Sequence, residues 1–575
     1  MRRCAGSVPL LLSLLSPVAV TVDAAARSPP SSPPKYGKAN AAGAVASEST
    51  ICSQIGVDTL RRGGNAADAM VATTLCTGTV AMYHSGIGGG GFMLVRGPNG
   101  ALENVDFREK APALATEDMY TDNVLTSIFT GLASGVPGEL RGLEYLHCKY
   151  GQLPWASLVK PSICLARDGW EVNEDLVTYM NSVTAYTDNF LVDESTWAED
   201  FAPNGTRLGL GDVITRKRYA TTLEAIAEGG ADAFYHDGPI ARATIETVQN
   251  NSGIMTMSDL EDYAIELREP LMVDYRGYRV ASTSAPSSGA VVLSVLNTIS
   301  GYDEMGDAEM RNISTHRLDE AMRFGYGQRT ELGDPSFVDG MSKYQAQMLD
   351  PSTGEESRSL ISDDTTLPVE SYDPSGFESL ETPGTSAITV VDANGLAVAL
   401  TSTINLIFGS HVMVPETGVI LNNEMNDFSI PGSSNAFGYI PSPANYIVPG
   451  KRPLSSISPT IVERPDGMLH FVIAAAGGSR IISSIAQILW QVLDLSTPFT
   501  DAMAEPRFHD QLVPDETTFE EDFDEGTVAF MASRNHNISY IASGLSSVQC
   551  VGLSANGSFE PVGEPRQTNS GGFVA

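Results

Sequence analysis

Residues 383–405, PGTSAITVVDANGLAVALTSTIN, give the clearest structural signal in the chain. Residues 387–392 and 396–404 are rich in β-branched and apolar side chains, and Asn394-Gly395 between them strongly indicates the tight turn of a β-hairpin. Thr385 stands just before the first strand and follows Gly384. Because the second strand of a hairpin runs back along the first, Thr403 is expected to return to the vicinity of Thr385.

On the N-terminal side of this hairpin, the sequence predicts helices followed by a polar loop. Apolar residues recur at three- and four-residue spacing in the segments 47–80, 139–150, 219–228 and 307–332. In the first of these, Gly63-Gly64-Asn65 separates two helices. Between about 353 and 383 the periodicity disappears and Ser, Asp, Thr, Glu and Pro predominate, which predicts an exposed loop.

On the C-terminal side, residues 412–421 and 461–475 predict further strands, and residues 481–493 and 499–505 predict helices. Helical segments therefore precede and follow the strands along the chain. This pattern favours an α+β fold in which sheets are sandwiched between helices.

The glycine run at residues 86–91, GIGGGG, matches the GxGxxG pattern of dinucleotide-binding sites. That motif requires a strand before it and a helix after it, so that the helix N-terminus meets the pyrophosphate. Here a helical segment precedes the run and the strand-like residues 92–95 follow it. We therefore interpret the run as a tight turn with close backbone packing.

The charge of the chain argues against two classes of partner. The 575 residues include 35 Lys and Arg against 70 Asp and Glu, which gives a formal net charge of −35. A chain this acidic repels nucleic acid and anionic membrane surfaces, so no nucleic-acid partner is expected.

The N-terminus has the pattern of an export signal. Arg2 and Arg3 precede an apolar run at residues 8–22, and small residues follow at 24–26. Residues 1–26 are therefore predicted to be a signal peptide, and residues 27–36 a Pro/Ser-rich spacer. The alternative is an uncleaved signal anchor, the one case in which a membrane would be a partner. The expected location is secreted or on the extracellular face of the plasma membrane.

Two counts are consistent with export. N-glycosylation sequons occur at Asn204, Asn250, Asn312, Asn537 and Asn556. Apart from Cys4 in the signal, the cysteines are Cys52, Cys76, Cys148, Cys164 and Cys550. They include no CxxC and no metal-binding spacing, which favours one or two disulfides over a metal site. No motif supports a catalytic cysteine.

Thr385 is the candidate catalytic nucleophile. A threonine hydroxyl is a poor nucleophile unless a base lies beside it, and the residue's own α-amine serves as that base once the threonine becomes a chain terminus. This requires cleavage of the preceding peptide bond. Because most Gly-Thr pairs merely enter a strand, the hypothesis depends on polar segments that return to the same place, at residues 401–405, 421–429, 453–456 and 474–479.

In this order and spacing, these segments resemble the γ-glutamyltransferase (γ-glutamyltranspeptidase, glutathione hydrolase) family. The resemblance covers nearly all of the chain after about residue 40, including DFREKAP at residues 106–112, the glycine run and residues 384–511. It also includes Cys52 and Cys76, which become the candidate disulfide pair. The fold implied is the αββα Ntn-hydrolase sandwich, two stacked sheets between helical layers. A precursor of this kind cleaves itself, here into a large subunit, 37–384, and a small subunit, 385–575.

The resemblance also implies the catalytic roles. Thr385 would attack the carbonyl of Gly384 during maturation, and afterwards the γ-carbonyl of the donor to give a γ-glutamyl ester. Thr403 would hold the nucleophile in place. Gly477 and Gly478 would form the oxyanion hole, for which backbone N–H groups are suited. No cofactor and no metal are implied.

The implied substrates are glutathione, its conjugates and other γ-glutamyl donors, with water, amino acids or dipeptides as acceptors. A zwitterionic γ-glutamyl head group needs partners of both signs. Arg108, Ser455 and Ser456 would bind its α-carboxylate, a contact that suits a guanidinium. Asn405, Glu424 and Asp427 would bind its α-ammonium.

The sequence departs from the family pattern at Asn426, where an aspartate is usual, at Ile407, where animal relatives often carry an aromatic residue, and at Pro383. Two alternatives stand beside the main hypothesis. One is another Ntn amidase or acylase, which has no need of the charged clamp around Arg108. The other is an unprocessed, non-catalytic surface glycoprotein of the same fold.

Overall fold

The computed structural model describes residues 36, 41–185, 187–377, 384–433, 440–554 and 556–575. The predicted signal peptide, the spacer apart from Tyr36, and Pro383 lie outside the described residues. Among those described, no helix has the length and apolarity needed to cross a bilayer.

Two antiparallel sheets form the centre of the molecule. In spatial order the seven-stranded sheet contains β18 (Gly571–Val574), β1 (Gly43–Ser47), β9 (Ser386–Asp392), β10 (Ala397–Thr403), β2 (Gly90–Arg96), β3 (Leu102–Asp106) and β6 (Glu266–Arg268). The six-stranded sheet contains β17 (Phe559–Val562), β16 (Ser547–Leu553), β12 (Leu469–Ala476), β11 (Thr460–Glu463), β8 (Tyr278–Ser282) and β7 (Leu271–Tyr275). A two-stranded sheet pairs β4 (Trp170–Glu171) with β5 (Val213–Ile214). In a three-stranded sheet, β14 (Thr517–Glu520) lies between β13 (Phe508–His509) and β15 (Ile538–Ile541).

Helices pack on the outer faces of both sheets, and further helices pack against these. Those in the first half of the chain are α1 (Thr50–Arg61), α2 (Ala66–Val80), α3 (Glu139–Tyr150), α4 (Trp155–Asp168), α5 (Glu174–Thr184), α6 (Phe190–Asp193), α7 (Ser195–Phe201), α8 (Lys217–Gly229), α9 (Asp232–Tyr235), α10 (Pro239–Asn250) and α11 (Met257–Glu261). The later ones are α12 (Gly289–Ile299), α13 (Arg311–Arg329), α14 (Met341–Met348), α15 (Pro351–Leu360), α16 (Arg480–Leu493), α17 (Phe499–Ala504) and α18 (Glu525–Ala532).

The alternation of side chains along the central strands creates the layers. In β9, Ile388 and Val390 pack on the α2 side, whereas Ala387 and Val391 face the second sheet. Strand β12 does the same on the other side, with Ile473 toward the helices and Ala474 toward the first sheet. Period-two alternation between two buried faces gives the order helix, sheet, sheet, helix. The αββα sandwich is thus confirmed.

The hairpin predicted for residues 387–404 is present. Strands β9 and β10 pair antiparallel, with Ser386 opposite Ser402, and Gly395 at the turn has a φ of 82°. The predicted helices at residues 47–80, 139–150, 219–228, 307–332, 481–493 and 499–505 correspond to α1 with α2, α3, α8, α13, α16 and α17. The glycine run turns from α2 into β2, as interpreted.

Two predictions were wrong in part. Residues 353–383 do not begin as a loop, because α15 continues to Leu360. Its Asp350 side chain caps the N-terminus and Gly354 packs on α12, so a polar segment is helical through tertiary contact. Residues 412–421 form no strand but a turn closed by one bridge between Met413 and Ile420.

The disulfide suggested by the resemblance is present. Cys52 of α1 and Cys76 of α2 are joined, 24 residues apart in sequence, and both are fully buried. Cys148 and Cys164 are exposed, and Cys550 is buried.

Candidate active site

Thr385 lies at the entrance to β9 and is 7% exposed. Gly384 before it has a φ of 135°, which L side chains rarely adopt. A Cβ atom at that position would also lie 2.3 Å from the carbonyl oxygen of Asn405. The backbone geometry therefore requires glycine directly before Thr385.

Thr403, at the end of β10, contacts the peptide group in front of Thr385. Its Oγ1 donates a hydrogen bond of 2.7 Å to the carbonyl oxygen of Gly384 and accepts one of 2.7 Å from the backbone N–H of Asn405. The accepted bond directs the hydroxyl proton of Thr403 toward the Gly384 carbonyl. The hairpin thus brings the two threonines together, as the sequence predicts.

Gly477 and Gly478 connect β12 to α16, with φ values of 121° and 60°. A Cβ atom on Gly477 would lie 2.4 Å from the carbonyl oxygen of Leu545. The pair stands at the N-terminal end of a 14-residue helix, where the helix dipole and backbone N–H groups favour negative charge. The position therefore suits an oxyanion hole, in which backbone N–H groups bind a negatively charged oxygen.

All the predicted site residues line one of two pockets that meet at Thr385. We call the first the head-group pocket. It is lined by Arg108, Thr385, Thr403, Asn405, Glu424, Asp427, Ser455, Ser456, Ile457, Gly478 and Ile481. We call the second, of about 100 Å³, the leaving-group pocket. It is lined by His84, Tyr179, Gly384, Thr385, Ile407, Ala476, Gly477, Gly544, Leu545, Ser547 and Gln567.

Charge is concentrated in the head-group pocket. The Arg108 guanidinium, 1% exposed, pairs with Glu424 through one nitrogen and with Asp427 through another. Oε2 of Glu424 and Oδ1 of Asp427 have no hydrogen-bond partner among the described residues, and neither has Nε of Arg108. Buried charges of both signs thus remain incompletely satisfied, and a zwitterionic ligand matches them.

Glu109 adds a third carboxylate that the sequence analysis did not assign to the site. It is fully buried, and its Oε2 lies 3.9 Å from Nη1 of Arg108. Burial raises the pKa of Glu109 to about 7, against the opposing effect of Arg108. Burial, together with Glu109 and Asp427, also raises the pKa of Glu424 well above its usual range. One arginine among three carboxylates favours the binding of a further cationic group.

Several buried residues hold this pocket in shape. Asp106 accepts a hydrogen bond of 2.9 Å from the backbone N–H of Arg108 and forms ion pairs with Arg268 and Arg452. Asn422 donates to the carbonyl oxygen of Gly88 and accepts from the N–H of Glu424, joining the glycine run to the acidic segment.

Arg329, at the end of α13, donates a hydrogen bond of 3.0 Å to Ser456 Oγ, and the sequence analysis did not identify it. Its position on an unremarkable helix far along the chain gives no signal in the sequence.

The leaving-group pocket differs in character. Tyr179, Ile407 and Leu545 supply apolar surface, and no Lys, Arg, Asp or Glu is among the described residues that line it. His84 is held at its edge by Glu48, with 2.9 Å between Nδ1 and Oε2, and the other oxygen of Glu48 accepts from the Ser386 hydroxyl. No motif in the sequence pointed to this network, which begins one residue beyond Thr385 at Ser386.

Asn426 and Ile407, two of the departures from the family pattern, occupy different places. Asn426 donates a hydrogen bond of 2.7 Å to Ser127 Oγ and does not line the head-group pocket, so the Asp-to-Asn difference leaves the charges of that pocket intact. Ile407 lines the leaving-group pocket.

Comparison with known proteins identifies the family. The family model described as gamma-glutamyltranspeptidase matches residues 52–574. The glutathione hydrolase proenzyme of Arthroderma benhamiae is 53% identical over 92% of this chain and 92% of its own length. The glutathione hydrolase of Aspergillus flavus is 47% identical over 93% of this chain and 89% of its own length.

Among solved structures, a cephalosporin acylase from Bacillus halodurans has a TM-score of 0.81 at 25% identity, covering 97% of this chain and 99% of its own. The gamma-glutamyltranspeptidase of Helicobacter pylori has a TM-score of 0.52 at 32% identity, covering 56% of this chain and 92% of its own. The first likeness shows that the fold is shared with this acylase, and the sequence relatives identify the family. The chain belongs to the gamma-glutamyltranspeptidase family.

Proposed function

We propose that this enzyme cuts itself between Gly384 and Thr385 and then uses Thr385 to hydrolyse or transfer γ-glutamyl groups. Its donors are glutathione, glutathione conjugates and other γ-glutamyl compounds, and its acceptors are water, amino acids or dipeptides. The observation that carries the proposal is the head-group pocket, in which Arg108, Glu424 and Asp427 share one cavity with Thr385.

Self-cleavage follows from the contact of Thr403. Thr385 Oγ forms a bond to the carbonyl carbon of Gly384, and the hydrogen bond from Thr403 stabilises the negative charge on the carbonyl oxygen. When the C–N bond breaks, the hydroxyl proton passes to the departing amine and an ester remains. The α-amine of Thr385 is free from that point, and water then hydrolyses the ester, releasing the carboxyl group of Gly384 and restoring the Thr385 hydroxyl.

The mature threonine carries its own base. The new α-amine takes the hydroxyl proton as Thr385 Oγ attacks the γ-carbonyl of the donor. The Gly477 and Gly478 N–H groups stabilise the oxyanion, and the amine of the donor leaves with the proton. Attack by water or by an acceptor amine on the γ-glutamyl ester completes the cycle.

The head-group pocket selects the γ-glutamyl group. A donor's α-carboxylate pairs with Arg108 and accepts from Ser455 and Ser456, and its α-ammonium pairs with Glu424 and Asp427. A plain acyl chain would leave the buried charges unsatisfied, at a cost of about 1–3 kcal/mol for each polar group. This cost disfavours the alternative of a general acylase.

The leaving-group pocket supports a preference for certain amines, which lie on the other side of the γ-glutamyl amide bond from the head group. No Lys or Arg among the described residues of its lining can pair with an acceptor's carboxylate, whereas Tyr179, Ile407 and Leu545 offer apolar contact. The favoured leaving groups and acceptors are therefore amines with apolar side chains and amino acids whose carboxylate is blocked as an amide. The terminal carboxylate of glutathione stays toward solvent.

One experiment tests the cut and the nucleophile together. The purified protein should run on a denaturing gel as two fragments, the smaller beginning at Thr385 by N-terminal sequencing, and should hydrolyse a γ-glutamyl anilide. Thr385→Ala should abolish both properties. Thr389→Val is the matched control, because Thr389 lies in the same strand, is fully buried, and its hydroxyl has no hydrogen-bond partner. An intact, inactive wild-type chain would support the non-catalytic glycoprotein instead.

Export is part of the proposal. The supporting features are the signal-like residues 1–26, the buried disulfide and the sequons, of which Asn204, Asn250, Asn537 and Asn556 are exposed. Asn312 is half-buried and its Oδ1 accepts a hydrogen bond from Thr527, so the other four are the better glycan sites. Recovery of the protein from culture medium, with a mass that falls on glycosidase treatment, tests this. Retention in the membrane fraction would support the signal anchor.

A further inference from the structure

We infer that the chain holds a transition-metal ion, zinc by its donor set, between His316, Glu320 and His536, away from the nucleophile. His316 and Glu320 lie one turn apart on α13, so they project from one face of that helix. His536 precedes β15 and is brought to them from 220 residues along the chain. The spacing in the sequence gave no indication of this site.

The three ligand atoms converge on one buried point. Nδ1 of His316, Oε1 of Glu320 and Nε2 of His536 all lie within 4.8 Å of one another. The two nitrogens are 2.7 Å apart, and Nε2 of His536 is 3.9 Å from Oε1 of Glu320. The Glu320 and His536 side chains are fully buried, and so is His316.

Each ligand has an outer partner that leaves its inner atom unprotonated. Nε2 of His316 lies 2.8 Å from the carbonyl oxygen of Ser362, which only accepts, so this nitrogen carries the proton and Nδ1 has a bare lone pair. Nδ1 of His536 lies 3.0 Å from a carboxylate oxygen of Asp319, which places the proton there and leaves Nε2 bare. Partners of this kind, a carbonyl and a carboxylate, are those that orient metal-binding histidines.

The third ligand follows the same pattern. Oε2 of Glu320 accepts a hydrogen bond of 2.6 Å from the Tyr372 hydroxyl, whereas Oε1 is buried without a hydrogen-bond partner. Two lone pairs and an orphaned carboxylate oxygen thus face one another. A cation between them satisfies all three.

The surrounding charges favour such a cation. The nearby guanidinium of Arg323 is engaged by Asp510 at 2.8 Å and by Asp515 at 2.7 Å. Asp319 and Glu320 are fully buried, and no Lys or Arg among the described residues lies within ion-pair distance of either. A divalent ion balances these two buried negative charges, which would otherwise be costly.

The donor set selects the class of ion. Two imidazoles and one carboxylate suit zinc and its neighbours rather than calcium or magnesium, which prefer oxygen ligands. Zinc–nitrogen bonds of about 2.0–2.1 Å in tetrahedral geometry place the two nitrogens about 3.3 Å apart. The rings therefore need to separate by only about 0.6 Å on binding.

The site has a consequence that rests on the proposed cleavage. His316 and Glu320 belong to the segment before Gly384, and His536 to the segment after Thr385. Once the chain is cut, the ion would link the large subunit to the small one.

The test begins with metal analysis of protein purified without a histidine tag, by inductively coupled plasma mass spectrometry. About one equivalent of zinc per chain is expected. His316→Gln and Glu320→Gln should each reduce that content at least tenfold. His470→Gln is the matched control, because His470 lies in β12 outside the cluster, and it should keep the metal.

A second measurement does not depend on how the variants fold. The wild-type protein, stripped with a chelator in mild denaturant and returned to buffer with cobalt(II), should show the visible absorption of tetrahedral cobalt. Wild-type protein with less than a tenth of an equivalent of any transition metal, and no cobalt spectrum, would overturn the inference and leave a shared proton between the histidines. Thr385→Ala protein, which should neither cut nor turn over, is expected to keep its metal, so failure of the proposed function is distinguishable.

Discussion

At the scale of single residues, the hydroxyl of Thr403 is the feature most directly tied to maturation. Thr403→Val keeps the shape of the side chain but removes the hydrogen bond to Gly384. Loss of one donor to a developing oxyanion costs about 2.7–4 kcal/mol, so precursor cleavage should slow by about 10²–10³-fold. Densitometry of a denaturing gel over time measures this, and Thr403→Ser should retain most of the rate. If Thr403→Val and Thr403→Ser precursors are cleaved at the same rate, the Thr403 hydroxyl has no role in maturation.

Arg108 is the residue that should decide donor affinity. Arg108→Lys keeps the positive charge needed by Glu424 and Asp427 but cannot offer two parallel N–H groups to a carboxylate. We expect kcat/KM for a γ-glutamyl anilide to fall about 100-fold, equivalent to about 2.7 kcal/mol, mainly through KM. Arg61→Lys is the control, since the Arg61 side chain is 53% exposed on α1. A normal KM in the Arg108 variant would contradict the proposed head-group contact.

The buried carboxylate of Glu109 should make donor binding depend on pH. Because burial raises its pKa to about 7, Glu109 is neutral below that pH and negative above it. The loss of a negative charge weakens attraction for the donor's α-ammonium, so KM should rise as the pH falls below about 7. Glu109→Gln should flatten this part of the profile and raise KM at pH 8. A wild-type KM that is constant between pH 6 and 8 would rule out this role.

At the scale of elements, local signals predicted the central hairpin and seven of the eighteen helices found in the described residues, namely α1, α2, α3, α8, α13, α16 and α17. Apolar periodicity marks α3 and α16, and Asn394-Gly395 marks the turn. Local signals failed for α15, whose helix depends on packing against α12. They also gave no sign of Glu109, Arg329 or the network of His84 and Glu48 as parts of the site, since tertiary structure alone brings these residues to it.

The helical pair α1 and α2 depends on the disulfide between Cys52 and Cys76. Cross-linking residues 24 apart restricts the unfolded chain, and removing such a bond costs about 2–4 kcal/mol. Cys52→Ala/Cys76→Ala should lower the free energy of unfolding by that amount in urea titrations, with activity at low temperature retained. Cys164→Ala, at an exposed position, should leave it unchanged. Equal stabilities of the two variants would show that the bond contributes nothing.

At the scale of the whole molecule, both sheets interleave the two segments that flank the proposed cut. In the first sheet, β1 from the large segment lies between β18 and β9 from the small one, and β10 pairs with β2. In the second, β11 pairs with β8 across the same division. Neither of the two central sheets therefore belongs to one segment alone, and each hydrophobic cluster of the described residues draws on both segments.

This interleaving predicts that the cut enzyme remains one particle. Cutting one bond in front of β9 leaves every strand pairing in place, so the cut wild-type and the uncut Thr385→Ala protein should elute at the same volume from a sizing column. Urea should separate the fragments only as the sheets unfold, because separation breaks strand pairs in both layers at once. Segments expressed separately and mixed should not recover activity, since β1 must enter between two strands of its partner. Fragments that part in native buffer, or that assemble freely from separate folded pieces, would contradict this topology.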